Sequence, residues 1–395
     1  MTTELRTLPP TTEDGGHTLL AWLREMRDTH PVWRDQYGMW HVFRYADVER
    51  VTSDPEVFSS DTTRLIPSMQ TIAEGMITRL DPPEHRKLRR LVSQAFTPRV
   101  VAGLAPRISE VTNELLDATG GSSELDIVTD LAYPLPVIVI AELLGLPISD
   151  RHLFRAWAAR LFDMTVEDPT DPELMPRVEE AMAEMRAYLL QACLDRRARP
   201  RADLISKLAT AEVDGERLTD NEVVGFSTVL LIAGHITTTI LLGNTVLCLD
   251  EHPGALGELR ADRSLVPDAL EEVLRYHSPF TQVGRATMRE AELSGTIVPP
   301  DVLVVAWLLS ANRDERAFAD PDRFDPHRSP NHHVAFGHGI HFCLGAPLAR
   351  LEAKIALNIL LDRFTEIRVR PGAQLEFYPR GIFGARCVPI TVQHA

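Results

Sequence analysis

Apolar side chains recur at helical spacing over residues 18–28, 46–53, 83–96, 105–118, 135–144, 150–162 and 177–197, predicting a succession of amphipathic helices. Between the first two, Val32 to Phe43 alternates around Tyr37-Gly38, the pattern of a β-hairpin. Pro169, Pro172 and Pro176 break the chain before the helix at 177–197. Further helices are predicted over about 220–250 and 266–277, and a second hairpin over Leu293–Trp307, turning at Pro299-Pro300-Asp301. A loop from Asn312 to Ala346, rich in Pro, Arg, His and Gly, precedes a helix from Pro347 to Phe364. Short alternating strands close the chain. No internal repeat or linker divides it. The expected fold class is mainly α with small β-sheets, in a single domain over residues 1–395, with 1–17 as a flexible N-terminus.

One segment changes the picture. Val223 to Leu249 contains no Asp, Glu, Lys or Arg and is long enough to cross a membrane. Gly234-His235 and Thr237-Thr238-Thr239 interrupt its middle, and its flanks are acidic (Asp220, Glu222, Asp250, Glu251). It reads as a helix buried inside a soluble protein, with no membrane as partner.

Charge and cysteine usage narrow the function classes. The 395 residues carry a formal net charge of −15, the wrong sign for a general nucleic-acid or anionic-membrane binder. Four cysteines, Cys193, Cys248, Cys343 and Cys387, stand far apart with no CxxC pair, and the N-terminal stretch has no apolar secretory run. A reducing cytoplasm is expected.

The long loop ends in Phe336-Gly337-His338-Gly339-Ile340-His341-Phe342-Cys343-Leu344-Gly345. Its glycines let the backbone turn tightly and pass close to something flat. Cys343 sits just ahead of a helix N-terminus, where unpaired N–H groups and the macrodipole favour a thiolate, the form that ligates a metal. One thiolate in a glycine cradle suits an axial ligand to haem iron. The alternatives are a buried loop cysteine, or zinc held by Cys343 with His332, His333, His338 or His341, although the several thiolates or paired-His helix of a usual zinc site are missing.

FGHGIHFCLG resembles the haem-binding loop of the cytochrome P450 family, Phe-x-x-Gly-x-Arg/His-x-Cys-x-Gly, with Phe336, Gly339, His341, Cys343 and Gly345 at its fixed positions. Other segments resemble family motifs in the expected order. Glu272-Val273-Leu274-Arg275 is similar to Glu-x-x-Arg, and Pro321-Asp322-Arg323-Phe324 to the segment whose arginine joins that pair. The resemblance implies a structural triad of Glu272, Arg275 and Arg323. Asp81 to Arg89 resembles the start of the helix beside the haem; His85 and Arg89, four apart, share one face. His85, Arg89, Arg285 and His341 are thereby implied to bind the haem propionates, as buried carboxylates require. Ala233-Gly234-His235-Ile236-Thr237-Thr238 resembles the oxygen-binding segment. Gly234 is expected to leave room for a ligand against the backbone, and Thr237 to supply a hydroxyl that handles protons beside bound O2. Ile236 stands where the family usually has Asp or Glu, so ordered water, substrate oxygens or His235 must replace a carboxylate proton route.

The resemblance implies a haem-thiolate monooxygenase holding haem b (iron protoporphyrin IX). It would insert one atom of O2 by hydroxylation or epoxidation of a bulky, mostly apolar secondary metabolite, similar to the macrolide and polyketide substrates of soluble bacterial members. By position in the family, substrate meets Ile66, Met69, Met76 and Ile77, then Phe280 and Val283, then Ile382 and Phe383, with Phe162–Val178 as a lid. No G-x-G-x-x-G follows a strand, so electrons from NAD(P)H are expected through a separate ferredoxin reductase and ferredoxin, docking on Arg86, Lys87 and Arg90. Oxidative coupling and a non-catalytic haem sensor are the alternative functions.

Overall fold

The computed structural model of the chain describes residues 8–65, 74–162, 174–213 and 215–395. Helices form where the apolar spacing predicts them: His17–Thr29, Tyr45–Ser53, Glu84–Ala95, Ala105–Asp117, Pro134–Leu144, Arg151–Phe162, Leu174–Ala198, Asp220–Glu251, Val266–Tyr276 and Ala346–Arg363. The chain clusters into two compact units. One gathers Met1–Pro67, Asp268–Leu344 and Gln374–Arg386, the other Ser68–Pro267, Gly345–Ala373 and Cys387–Ala395.

The first unit is built on a five-stranded sheet. Its strands are β1 (Val32–Arg34), β2 (Trp40–Val42), β3 (Phe58–Ser59), β4 (Val283–Thr287) and β5 (Leu303–Ala306), in the order β1-β2-β5-β4-β3. β2 and β5 run parallel, and the other pairs are antiparallel. The β1–β2 hairpin closes as its sequence predicts. Asp35 accepts the N–H groups of Tyr37 and Met39, leaving Gly38 the left-handed position. An aromatic core of Trp22, Trp33, Phe43 and Trp307 holds the first helix to this sheet, with ring centroids 5.3–6.1 Å apart.

The second hairpin differs from its prediction. Ala291–Leu293 pairs with Thr296–Val298 through a turn at Ser294-Gly295, both in the left-handed region, while β5 pairs with β4. Alternation in Leu293–Trp307 gave two true strands; the error lay in pairing them with each other, since the partner of β5 lies outside that segment.

The second unit is organised around Asp220–Glu251. Thr219 and Glu222 form a reciprocal capping box at its start. The helix is apolar all round because neighbours cover it, among them Pro134–Leu144, Leu174–Ala198 and Ala346–Arg363. It is long and apolar enough to cross a membrane, yet 72% of its most apolar stretch is buried inside the protein, the property of a core helix. A side chain at Gly225 on this helix would stand 2.4 Å from the Gly75 backbone, and one at Gly75 would stand 2.3 Å from the Asn221 carbonyl oxygen. Two main chains meet there with no room for a Cβ. Phe364–Val369, Pro389–His394 and Glu124–Asp126 form a three-stranded sheet in the same unit.

Candidate active site

The loop from Asn312 to Ala346 is anchored peptide by peptide. Asn312 donates to Ser278 Oγ at 2.7 Å and accepts the Val334 N–H at 2.7 Å. The Gly337 N–H donates to the Val334 carbonyl at 2.8 Å, and the Cys343 N–H to the Phe336 carbonyl at 2.9 Å, closing the turn that presents Cys343. Gly339 is left-handed, and a Cβ there would stand 2.8 Å from Thr52 O and Ser53 Cα. Only glycine lets this loop rest on the end of Tyr45–Ser53. Cys193 and Cys248 are buried, whereas Cys343 is only half-buried and reachable.

Behind this loop lies a buried charge cluster. Arg275 donates to both Glu272 carboxylate oxygens, at 2.7 and 2.8 Å, and to the carbonyls of Asn312, Pro321 and Arg323. The sequence assignment of Arg323 as third member is corrected here. Arg323 is exposed and offers its carbonyl, while Arg328 Nε lies 3.1 Å from each Glu272 oxygen. The Asp325 N–H and Asn331 amide complete the shell around Glu272. Burial pulls the Arg275 pKa down, and the Glu272 bond opposes the shift. Arg285 and His341, also in this unit, are half-buried, and Arg285 donates to the Gly284 carbonyl.

In the second unit, His85 and Arg89 lie on Glu84–Ala95. His85 is buried, and its pKa is lowered, first by burial and then by the Arg89 cation, with Asp81 opposing. A carboxylate placed beside them would oppose that shift and favour the protonated imidazole.

On the long helix, Val229, Ile232, Ala233, Gly234 and Thr237 remain accessible while residues around them are buried. These positions form one stripe at helical spacing. Thr237 donates to the Ala233 carbonyl at 2.8 Å. A Cβ at Gly234 would meet Ile140 Cδ1 at 2.9 Å, so the small residue also gives room to a side chain from the neighbouring helix. His235 lies on the face opposite Thr237, since each residue turns the helix by about 100°. It is fully buried, its Nδ1–H donates to Leu231 O at 2.6 Å, its ring meets Tyr133 edge to face, and burial lowers its pKa to about 4. It is therefore neutral and ill placed to feed protons to Thr237. Ile236 is buried.

Sequence reasoning missed Glu352, on Ala346–Arg363 beside Thr238. Burial raises its pKa to about 8, with Thr238 opposing. No local motif marks it; an acid amid an apolar helical face was the available signal.

Of the expected substrate contacts, Ile66 and Met69 lie outside the described residues, as do residues 163–173 of the proposed lid. Met76 is half-buried and Ile77 buried in the second unit; Phe280 and Val283 are half-buried in the first. Ile382 bridges to Phe280 and is 2% exposed. Phe383, at 1%, is corrected to a core residue: it meets His277 edge to face, lies tilted against Phe377 and fills the space that Gly16 leaves. A separate cleft of about 580 Å³ in the second unit, floored by Leu115, Leu125 and Val137, contains none of these residues.

The donor set fits a haem. The reachable thiol stands on a loop whose glycine cradle a Cβ would fill, and Arg285 and His341 of the same unit offer a guanidinium and an imidazole to carboxylates. Among the described residues no cluster of three or more His, Cys, Asp or Glu is arranged to hold a metal ion.

Comparison with known proteins supplies the class. The family model for Cytochrome P450 matches residues 12–381. The chain belongs to this family and is a P450 monooxygenase. It is 50% identical over 375 residues to erythromycin C-12 hydroxylase of Saccharopolyspora erythraea, covering 94% of each chain. It is 47% identical over 393 residues to cyclomarin C epoxidase CymV of Salinispora arenicola, covering 98% of this chain and 99% of that one. A solved structure of a mutant P450 EryK in complex with erythromycin B matches with a TM-score of 0.91 at 48% identity, over 97% of this chain and 98% of that chain.

Proposed function

We propose that this chain is a cytoplasmic haem-thiolate monooxygenase, folded as one family domain over 1–395, that hydroxylates or epoxidises a macrolide-type polyketide. The observation that carries the reading is Cys343, half-buried at the end of a glycine turn closed by its own N–H. Cys343 would hold the haem iron through its thiolate, and His85, Arg89, Arg285 and His341 would hold the propionates. Bound haem would supply activation of O2 and insertion of one of its atoms into a C–H or C=C bond, the other atom leaving as water with two electrons and two protons.

The chain's own residues supply the surroundings. The Thr237 hydroxyl, now donating to its own helix, keeps acceptor capacity and holds a proton at Oγ1. Val229, Ile232 and Ala233 give this stripe an apolar surface that limits water. With Ile236 apolar and His235 turned away, protons reach Thr237 through water or substrate oxygens. The erythromycin hydroxylase and cyclomarin epoxidase support a large secondary-metabolite substrate. Electrons from NAD(P)H arrive through a ferredoxin reductase and an acidic ferredoxin. Lys87 is tied to Glu216 at 3.3 Å, so the exposed Arg86 is the better docking cation.

The test is spectroscopic. Reduced protein under carbon monoxide should show the thiolate Soret band, and Cys343→Ala should lose it while circular dichroism stays helical. A wild-type spectrum without that band rejects the assignment. A macrolide panel should contain members that shift the iron spin state; a panel without such a member rejects the substrate class.

A further inference from the structure

The loop that presents Cys343 has one anchor that neither the motif nor the Glu272 cluster explains. His333 is almost wholly buried, with its side chain 3% exposed, and both ring nitrogens are engaged. Nδ1 accepts the Ala335 N–H at 3.3 Å, and Nε2 lies 3.1 Å from Glu271 Oε2. An Nδ1 that accepts carries no proton, so the proton resides on Nε2 and is donated to the carboxylate. The ring packs beside Phe336, with centroids 6.0 Å apart, and the Phe336 carbonyl receives the Cys343 N–H. Asn312 holds Val334, Val334 holds Gly337, and His333 holds Ala335. His333 thus fixes the Ala335 peptide within a run whose other bonds come from Asn312 and Val334.

We infer that the Glu271–His333 pair is a positioning device for the sulfur ligand. It ties the Glu-x-x-Arg helix to the base of the cysteine turn and fixes the direction in which Cys343 presents its thiolate. The inference rests on the reading of Cys343 as haem ligand. The pair differs in kind from the neighbouring Glu272 cluster: Glu272 binds residues 325, 328 and 331, upstream of the turn, whereas Glu271 binds the His333 ring, which in turn accepts the Ala335 N–H leading into it. Losing the pair leaves the cluster in place and loosens only the sulfur's approach.

The test uses holoenzyme. His333→Phe keeps an aromatic ring beside Phe336 and removes both hydrogen bonds; Glu271→Ala removes the pair from its other end. The readouts are the reduction potential and the rate at which the ferrous carbon monoxide complex converts from its thiolate to its thiol spectrum, measured well below the melting temperature. Either variant should convert about tenfold faster, the factor that about 1.4 kcal/mol represents. Glu271→Gln, which keeps an acceptor for Nε2–H, should restore near wild-type rates. The double variant Glu271→Ala/His333→Phe should convert no faster than a single one, because both lose the same bond. If His333→Phe does not bind haem, the Glu271→Ala and Glu271→Gln contrast decides alone. Unchanged rates and potentials, additive effects, or failure of Glu271→Gln to restore would overturn the inference. A wild-type protein lacking the thiolate band would instead reject Cys343 as ligand.

Discussion

At the residue scale, the candidate site can be read from sequence where its residues are neighbours in the chain. The cysteine turn and the His85–Arg89 pair are each written within ten residues. The exchange of Arg323 for Arg328 shows where legibility stops. Both arginines lie in one irregular loop, and which of them offers a guanidinium and which a carbonyl depends on the chain's path. Arg328 contacts both oxygens of a fully buried carboxylate, so Arg328→Met should destabilise the fold by about 3 kcal/mol. Arg323→Ala should stay within about 0.5 kcal/mol. Urea unfolding of the two variants checks the contrast.

Two buried groups also give stability a pH dependence of opposite sign. His235 binds its proton with a pKa of about 4 when folded, against 6.5 as reference. The unfolded chain takes up that proton first, so this contribution is present above pH 6.5 and is lost as pH falls toward 4. Glu352 has a folded pKa of about 8 against 4.5, so its contribution is present below pH 4.5 and is lost as pH rises toward 8. Glu352→Gln should therefore gain stability over wild type at alkaline pH, by about 1–3 kcal/mol, and little at acid pH. His235→Phe should show the reverse pattern. Melting temperatures across pH 4.5–9 measure both.

At the scale of elements, the 3.6-residue period located the main helices to within a few residues, because each has an apolar face that some neighbour must cover. Shorter helices escaped. Pro98–Ala102 and Pro253–Ala261 begin on prolines, which punctuate sequence as breaks although proline suits a first turn. Packing between elements was illegible, as Gly225 illustrates. Glycine inside a helix is ordinarily a weakness of about 1 kcal/mol relative to alanine. At Gly257, with open space around it, Gly257→Ala should raise stability by up to that amount. Gly225→Ala should lower it by about 2 kcal/mol despite the same gain in propensity, because the new methyl meets backbone. Denaturant midpoints of the two variants should move in opposite directions.

At the scale of the whole molecule, the family was legible because several motifs fall in order along one chain, and the family model spans residues 12–381. How the chain partitions was not legible. Each compact unit is assembled from three separated stretches, so long-range pairing, which no local pattern encodes, decides membership. The net charge of −15 also acts at this scale. A strongly acidic enzyme repels an acidic electron donor unless a local cation guides it. Arg86→Glu should slow reduction by an acidic ferredoxin about tenfold at low salt while leaving the haem spectrum intact. The difference should shrink as salt is raised, which stopped-flow measurement at several ionic strengths would reveal.

The contact between Gly75 and Gly225 bears on how such an enzyme can be re-engineered. Residues facing a bulky ligand invite diversification, and libraries drawn around this helix will sample the neighbourhood freely. These two sites will return almost nothing except the parental pair, since enlarging either one pushes two main chains apart. A redesign programme gains by holding both constant and spending its diversity on the accessible apolar positions Val229, Ile232 and Ala233.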